Sequence, residues 1–269
     1  MRVDECAEGH SVSDVLAIIP ARTGSKGISY KNFRALAGRS PLTRALDVCH
    51  ALYQGGLACR VVVSSDVQAD DVSPAHTLEF HWHGVGLPVQ YLDRQSSLAQ
   101  DDTPMIAVVQ HVLKQIPGPP EQIIVLLQPT QPLRQPQHIT AAIELLRSSG
   151  ADSVVSVVEL PKAHSPDLVC EVVLSPGGDT KLRPWPYESC DGTSMRPWSE
   201  RPTRRQVARS AFIPDGTVYA FYRRNVIWGH LYGGGDRVQP LIIPPEETCA
   251  LDTLADWAEA ERRLSAERR

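Results

Sequence analysis

The sequence contains several short runs of consecutive apolar residues, and this feature limits its possible folds most strongly. VLAIIP (15–20), RVVVSSD (60–66) and QIIVLLQP (122–129) each lack the polar and apolar alternation of a strand with one face in water. Such runs are typical of strands that are buried on both faces, as in a parallel sheet covered by helices. We therefore expect an α/β protein with an open, mostly parallel central sheet.

Amphipathic segments separate these runs. In SPLTRALDVCHALYQ (40–54) the apolar residues recur near helical spacing, and HITAAIELLRSSG (138–150) predicts a second helix that ends at Gly150. DSVVSVVEL (152–160) predicts a further strand. The alternation of strands and helices indicates βαβ units, which place helices on both faces of the sheet.

The composition changes in the second half of the chain. Residues 1–14 are predicted to form an N-terminal tail, and residues 15–269 a single domain with an inserted arm at about 161–212. Pro, Ser, Gly and Arg are frequent in the arm, and only LVCEVVL (168–174) indicates a strand there. The arm could be a hairpin used in dimer packing, a mobile cover over a site or an irregular surface excursion.

Charge and hydropathy exclude some classes of function. The chain has 27 Lys and Arg against 31 Asp and Glu, a net charge of −4, which is unlike a domain that binds nucleic acid. No apolar run approaches the roughly 18–20 residues of a membrane-spanning helix. The first residues, MRVDECAEGHSVSD, are polar and acidic, unlike a secretory signal. We expect a cytoplasmic protein that has neither nucleic acid nor a membrane as a partner.

The loop after the first strand has the composition of a phosphate-binding loop. ARTGSKGISYKN (21–32) contains two glycines that allow close backbone approach, and three basic side chains. The spacing differs from that of a Walker A motif. The residues of this loop alone are consistent with a phosphate site or with a solvated turn.

Two loops resemble a known family. IIPARTGSKGISYKN (18–32) is similar to the signature P-A-R-x-G-S-K-x-[IL]-x-x-K-N of the N-acylneuraminate cytidylyltransferases, which make CMP-sialic acids from CTP and a sialic acid. LLQPTQPLR (126–134) resembles their L-L-Q-P-T-S-P-L-R. With weaker similarities elsewhere, the resemblance covers roughly residues 14–264. It implies a Rossmann-like three-layer sandwich, a homodimer, and transfer of CMP from CTP to a small acidic acceptor, a sialic acid or a related nonulosonic acid, with release of pyrophosphate.

The resemblance also implies roles for individual residues. Seven would bind the nucleotide: Ala21, Arg22, Gly24, Ser25, Lys26, Asn32 and Arg94. Four would contact the acceptor: Gln128, Gln206, Phe212 and Asp215. Arg22, Lys26 and Asp252 would be catalytic, and Asp252 would bind the Mg²⁺ cofactor. Charge-assisted hydrogen bonds from Arg and Lys suit a triphosphate, and one carboxylate can suffice for Mg²⁺ when phosphate oxygens complete the site.

The sequence departs from the family pattern on the acceptor and metal sides. Ala250 replaces the first aspartate of the family's D-I-D-T, Asp215 replaces an asparagine, and Gln131 replaces a serine. Asp252 could instead be a helix N-cap, and Asp66 or a water could complete the metal site. These departures leave open a different acceptor, such as a phosphonate, or an inactive protein that binds CTP.

Overall fold

The computed structural model describes residues 14–25, 27–67, 87–174, 180–184, 201–202, 204–231 and 237–266. Lys26 and almost all of the predicted N-terminal tail therefore lie outside the described residues. The strands are β1 Val15–Ala21, β2 Cys59–Ser65, β3 Val89–Asp93, β4 Ile123–Leu126, β5 Ser153–Glu159, β6 Cys170–Leu174, β7 Thr180–Pro184, β8 Phe212–Tyr222 and β9 Val238–Ile242. The α-helices are α1 Pro41–Gln54, α2 Met105–Gln115, α3 Pro136–Ser149, α4 Arg223–Ile227 and α5 Leu254–Ala266.

Seven strands form one sheet in the order β3-β2-β1-β4-β8-β5-β9. β1 pairs in parallel with both β2 and β4, and β2 pairs in parallel with β3, whereas β8 runs antiparallel to β4. Every residue of β1 and β4 is buried, as their continuous apolar sequences require. The prediction of an α/β sandwich around a mostly parallel sheet is confirmed.

Local signals set the ends of the helices. Ser40 precedes α1, its side-chain oxygen accepts a hydrogen bond from the backbone N–H of Thr43 at 3.1 Å, and Pro41 occupies the first turn. Helix α3 ends at Gly150, whose φ of 68° lies in the left-handed region that glycine adopts most easily. β3 and α2 were not predicted from the sequence; β3 is only five residues long and partly polar. None of the helices in the described residues is both long and apolar enough to cross a membrane.

The chain divides into two compact units. The first contains Met1–Ser156 and Asp215–Arg269, and the second contains Val157–Pro214. The predicted arm at about 161–212 falls within the second unit. In that unit β6 and β7 pair as an antiparallel hairpin, with Val172 opposite Leu182.

Two apolar clusters organise the first unit. The larger fills the space between the sheet and helices α1 and α3. The smaller joins segments that are far apart in the chain, and its buried members are Ile28, Leu36, Leu133, Leu251, Trp257, Ala260 and Leu264. These residues come from the loop after β1, the segment after β4, the residues just before Asp252, and α5. Their burial brings the four segments together at one end of the sheet.

Candidate active site

Four parallel strands end at the same edge of the sheet. β1, β2, β3 and β4 are followed by Arg22, Asp66, Arg94 and, after Leu127, Gln128. The chain passes from β1 to β2 on one side of β1 and later returns to β4 on the other side. Ligands of open α/β sheets bind beyond such a reversal of strand order, so this edge is the candidate site.

The loop after β1 is held by its neighbours. The backbone N–H and the hydroxyl of Thr23 both donate to the Asp66 carboxylate, each at 2.8 Å. Asn32 closes the loop by donating from Nδ2 to the carbonyl of Arg22 at 2.9 Å. Asn32 Oδ1 is buried and accepts no hydrogen bond from any described residue. A buried acceptor of this kind normally has a partner, and a donor on a ligand would supply one.

Two arginines bring positive charge to this edge. Arg22 forms an ion pair with Asp101 at 2.7 Å and donates to the carbonyl of Ala99 at 3.1 Å. Arg94 is only 4% exposed and donates to the carbonyl of Ser64 at 2.7 Å. Burial lowers the pKa of Arg94 to about 10, with Asp66 opposing the shift and Arg22 adding to it. Arg94 therefore remains a cation at neutral pH.

Two cavities share the start of the loop after β1. One has a volume of about 150 Å³ and is lined by Pro20, Arg22, Gly24, Ser25, Lys31, Asn32, Arg94, Met105, Gln128, Pro129 and Thr130. The other has a volume of about 410 Å³ and is lined by Arg22, Thr23, Gly24, Ser25, Asp66, Ser96, Ala99, Gln100 and Asp101. The structure thus brings together five predicted nucleotide residues and one predicted acceptor residue, Gln128, around the smaller cavity. Ala21 is fully buried at the end of β1.

Gln128 lies beside Gly216, where any larger residue would force a neighbouring atom to move. Gly216 has a φ of 80°, and a Cβ at this position would lie 2.8 Å from Gln128 Oε1. Arg134 holds both segments, since its guanidinium donates to the carbonyls of Gln128 at 2.6 Å, Gly216 at 3.3 Å and Thr217. No role for Arg134 was predicted from the sequence. Its final position in LLQPTQPLR was the only signal available.

The other predicted acceptor residues differ in their surroundings. Asp215 accepts hydrogen bonds from the hydroxyl of Thr248 at 2.8 Å, from the Thr217 hydroxyl and from the Thr217 backbone N–H at 3.3 Å. Gln206 lies in a short 3₁₀ helix, Arg205–Val207, and Phe212 begins β8. These last two residues belong to the second unit. Their contact with an acceptor stays a prediction.

Asp252 approaches the loop after β1 from the far end of the sequence. Its side chain is 77% exposed, and Oδ1 lies 3.5 Å from Nζ of Lys31, which also donates to the carbonyl of Leu251. The backbone is closer still: a Cβ added at Gly27 would lie 2.5 Å from the carbonyl oxygen of Asp252. This contact explains why a glycine stands at position 27.

Asp252 is not the N-cap of α5. That role belongs to Thr253, whose hydroxyl accepts from the backbone N–H of Asp256 at 3.2 Å. In return, the Asp256 carboxylate accepts from the Thr253 backbone N–H at 2.7 Å, as in a capping box. The Asp252 carboxylate is therefore not needed to begin the helix.

The carboxylate of Asp252 fits a Mg²⁺ ligand. Mg²⁺ commonly binds proteins through one or two carboxylates and takes its other ligands from phosphates and water. Within the described ranges, no group of three or more His, Cys, Asp or Glu side chains could hold a metal by itself. Asp66, the other carboxylate considered, is occupied by two hydrogen bonds from Thr23. Asp101 is also exposed at this edge, but it is paired with Arg22 at 2.7 Å, whereas Asp252 is 77% exposed and lies 3.5 Å from Lys31.

Comparison with known proteins gives the family. The profile of the family described as Cytidylyltransferase matches residues 16–167. The CMP-N,N'-diacetyllegionaminic acid synthase of Legionella pneumophila is 35% identical over 258 residues, which cover 93% of this chain and 96% of that protein. The N-acylneuraminate cytidylyltransferase A of Danio rerio is 28% identical over 251 residues, and the chain spans only 50% of its length.

Solved structures agree with the fold. The structure of CMP:2-keto-3-deoxy-manno-octonic acid synthetase complexed with CTP has a TM-score of 0.61 and 17% identity, over 95% of this chain and 100% of that one. The 4-diphosphocytidyl-2C-methyl-D-erythritol synthase of Anaerococcus prevotii has a TM-score of 0.56 and 14% identity, with the same coverage. The strand order, the loop after β1 and the match over more than half of the sequence lead to one conclusion. The chain belongs to the cytidylyltransferase family.

Proposed function

We propose that the protein transfers CMP from CTP to a hydroxyl of a sialic acid or a related nonulosonic acid and releases pyrophosphate. The observation that carries this proposal is the meeting of Arg22, Arg94 and Gln128 around one cavity at the reversal of strand order. Two of these residues are cations suited to a nucleotide, and the third is an amide suited to the hydroxyls of a sugar acid. Membership of the cytidylyltransferase family supports CTP as the nucleotide.

The proposed reaction is an in-line displacement at the α-phosphorus of CTP. The acceptor oxygen forms the new P–O bond and loses its proton, and the bond to the pyrophosphate oxygen breaks. Catalysis of this step rests on positioning and on neutralising charge. Arg22 would exchange its ion pair with Asp101 for the phosphates, Lys26 would add a second cation, and Asn32 Oδ1 would accept from a donor on the nucleotide.

Asp252 would hold Mg²⁺ in the active enzyme. The ion, when bound, supplies positive charge that stabilises the phosphate oxygens as pyrophosphate leaves. Lys31, 3.5 Å from Asp252 Oδ1, would orient the carboxylate. The exposure of Asp252 supports an active enzyme over an inactive CTP-binding protein, even though Ala250 stands in place of a second carboxylate.

The proposed acceptor class follows from two of the relatives. The Legionella pneumophila and Danio rerio proteins are named for N,N'-diacetyllegionaminic acid and N-acylneuraminate, both nonulosonic acids. A phosphonate acceptor remains an outcome of the test below. Because CTP is available in the cytoplasm, we propose that the reaction occurs there.

The decisive experiment measures pyrophosphate release with each of the four nucleoside triphosphates in the presence of Mg²⁺. The acceptor panel contains N-acetylneuraminic acid, a legionaminic acid and a phosphonate. We expect release with CTP and a nonulosonic acid, and no release with the other triphosphates. Release with the phosphonate alone would change the acceptor class. CTP binding without release across the whole panel would contradict the proposed activity.

We also propose a homodimer formed through the second unit. Val172 and Leu182 are opposite each other in the β6–β7 hairpin and are 70% and 62% exposed. A two-stranded hairpin has little stability in water without further packing. Two large apolar side chains on one face of such a hairpin support burial against a second copy.

If the hairpin forms the dimer interface, a charge placed in it should weaken the dimer. Val172→Glu places a carboxylate in the proposed interface, so we expect the dimer dissociation constant to rise by about tenfold or more. Light scattering after size-exclusion chromatography measures the mass. Ile227→Glu is the matched control, because Ile227 is 68% exposed and lies in the first unit. Equal masses for the two variants would contradict an interface at the hairpin.

A further inference from the structure

The five residues that end at Asp252 are tied to the segment after β4. Cys249 donates its backbone N–H to Gln131 Oε1 at 3.3 Å, and Leu251 donates its own to the carbonyl of Thr130 at 2.9 Å. The Thr248 hydroxyl lies 3.2 Å from Gln131 Oε1 and 2.8 Å from Asp215 Oδ2. The position of the Asp252 backbone therefore depends on the groups that hold these residues, which are Thr130, Gln131 and Asp215.

Two of those groups are departures from the pattern of the related enzymes. Gln131 replaces a serine and Asp215 replaces an asparagine. The structure shows that they contact each other, because Gln131 Nε2 donates to the backbone carbonyl of Asp215. They also share a partner, the Thr248 hydroxyl. The two replacements thus form one hydrogen-bonded network with the segment that carries Asp252.

The Asp215 carboxylate is hydrogen-bonded within this network. Its carboxylate accepts from both donors of Thr217 and from Thr248. Arg134, which is only 4% exposed, donates to the carbonyls of the next two residues, Gly216 and Thr217. A carboxylate with these neighbours is satisfied without an acceptor molecule.

We propose that Gln131, Asp215 and Thr248 are positioning residues, which hold the Thr248–Asp252 segment against the segment after β4 and so set the position of the Asp252 carboxylate. This role differs from the acceptor contact that the sequence predicted for Asp215. The inference rests on the proposed function, since it assigns Asp252 to the metal-bound phosphates. With Ala250 in place of a second carboxylate, the placement of Asp252 matters more.

The test removes the shared hydroxyl with little change in shape. Thr248→Val deletes the donor to Asp215 and Gln131, and Thr248→Ser restores it. Thr217→Val is the matched control, because it removes a hydroxyl from the same carboxylate oxygen without touching the Asp252 segment. Mn²⁺ binding in the presence of CTP, followed by electron paramagnetic resonance, is the first readout. Hydrogen exchange of the peptide that contains Cys249 and Leu251 is the second, and steady-state kinetics the third.

For Thr248→Val we expect the Mn²⁺ concentration at half-saturation to rise by about tenfold, the scale of one lost hydrogen bond to a charged group. Exchange at Cys249 and Leu251 should be faster, and kcat should fall by about tenfold with KM for CTP nearly unchanged. Thr248→Ser should resemble the unmodified protein, and Thr217→Val should change Mn²⁺ binding and exchange less than Thr248→Val does, because it leaves the hydrogen bonds of the Thr248–Asp252 segment in place.

The outcomes separate the two proposals. If the unmodified protein releases no pyrophosphate, the proposed function fails. Faster hydrogen exchange in Thr248→Val, but not in Thr217→Val, would still support the positioning role of Thr248. If the unmodified protein is active and Thr248→Val matches it in Mn²⁺ binding and exchange, the positioning role is wrong. An equal loss in Thr217→Val would overturn the role of Thr248 in particular.

Discussion

Asp252→Asn is expected to lower kcat for pyrophosphate release by about a thousandfold, the scale on which a preorganised charged group contributes to a transition state. The substitution keeps the shape of the side chain and removes the negative charge that would hold Mg²⁺. The side chain is 77% exposed and does not cap α5, so the fold should be unaffected. CTP should still bind, because Arg22 and Arg94 are unchanged. Steady-state kinetics, CTP calorimetry and thermal unfolding measure the three quantities.

Asp256→Asn is the matched control for this prediction. Asp256 is four residues away, and its carboxylate accepts hydrogen bonds from Thr253 at the start of α5. Loss of this capping interaction should lower the free energy of unfolding by about 1 kcal/mol. Because the Asp256 carboxylate also accepts from the backbone N–H of Asp252 at 3.2 Å, kcat should fall by a few-fold, about a hundredfold less than in Asp252→Asn. A variant Asp252→Asn that retained a tenth of the activity would contradict its assignment as the metal ligand.

Gly27→Ala is expected to lower both stability and activity, whereas Gly24→Ala should leave stability unchanged. A Cβ at Gly27 would lie 2.5 Å from the carbonyl oxygen of Asp252, so one of the two segments must move. Such overpacking lowers the free energy of unfolding by about 1–3 kcal/mol. A displacement of about 1 Å near the reacting groups can lower kcat by about a hundredfold. Chemical denaturation and pyrophosphate release measure the two effects.

Gly24→Ala is the control that distinguishes an effect on packing from an effect on ligand binding. A Cβ at Gly24 would meet no atom of the described residues within 4 Å, yet Gly24 lines both cavities. Gly24→Ala should therefore weaken CTP binding, if phosphates approach this backbone, without lowering the unfolding midpoint. Equal stability losses in the two variants would show that the contact between Gly27 and Asp252 does not restrict position 27.

Much of the architecture was predictable because it depends on local patterns. Continuous apolar runs identified β1, β2 and β4, since a strand covered on both faces has no polar side to display. Gly150 marked the end of α3 because few other residues adopt its backbone conformation easily. The loop after β1 was recognised from its glycines, its cations and its resemblance to a family signature.

Other parts of the site depend on residues that are distant in sequence. Gln131 bonds to Cys249 across 118 residues, and Arg134 bonds to Thr217 across 83. Neither pairing has a local signature, because a glutamine or arginine in such a motif can equally well be exposed to solvent. The choice between Asp252 and Thr253 as the N-cap of α5 also required coordinates, since both residue types serve as N-caps.

The sequence by itself determined the class of fold and predicted the loop after β1 as the nucleotide site, because burial patterns and short motifs are encoded in neighbouring residues. Only the tertiary structure showed that Asp252 is exposed and does not cap α5, and that Asp215 and Gln131 both contact Thr248. Those outcomes depend on the order of the strands and on the burial of Ile28, Leu133 and Leu251 in one cluster. Sheet topology brings such groups together, and these contacts cannot be predicted from the spacing of the residues along the chain.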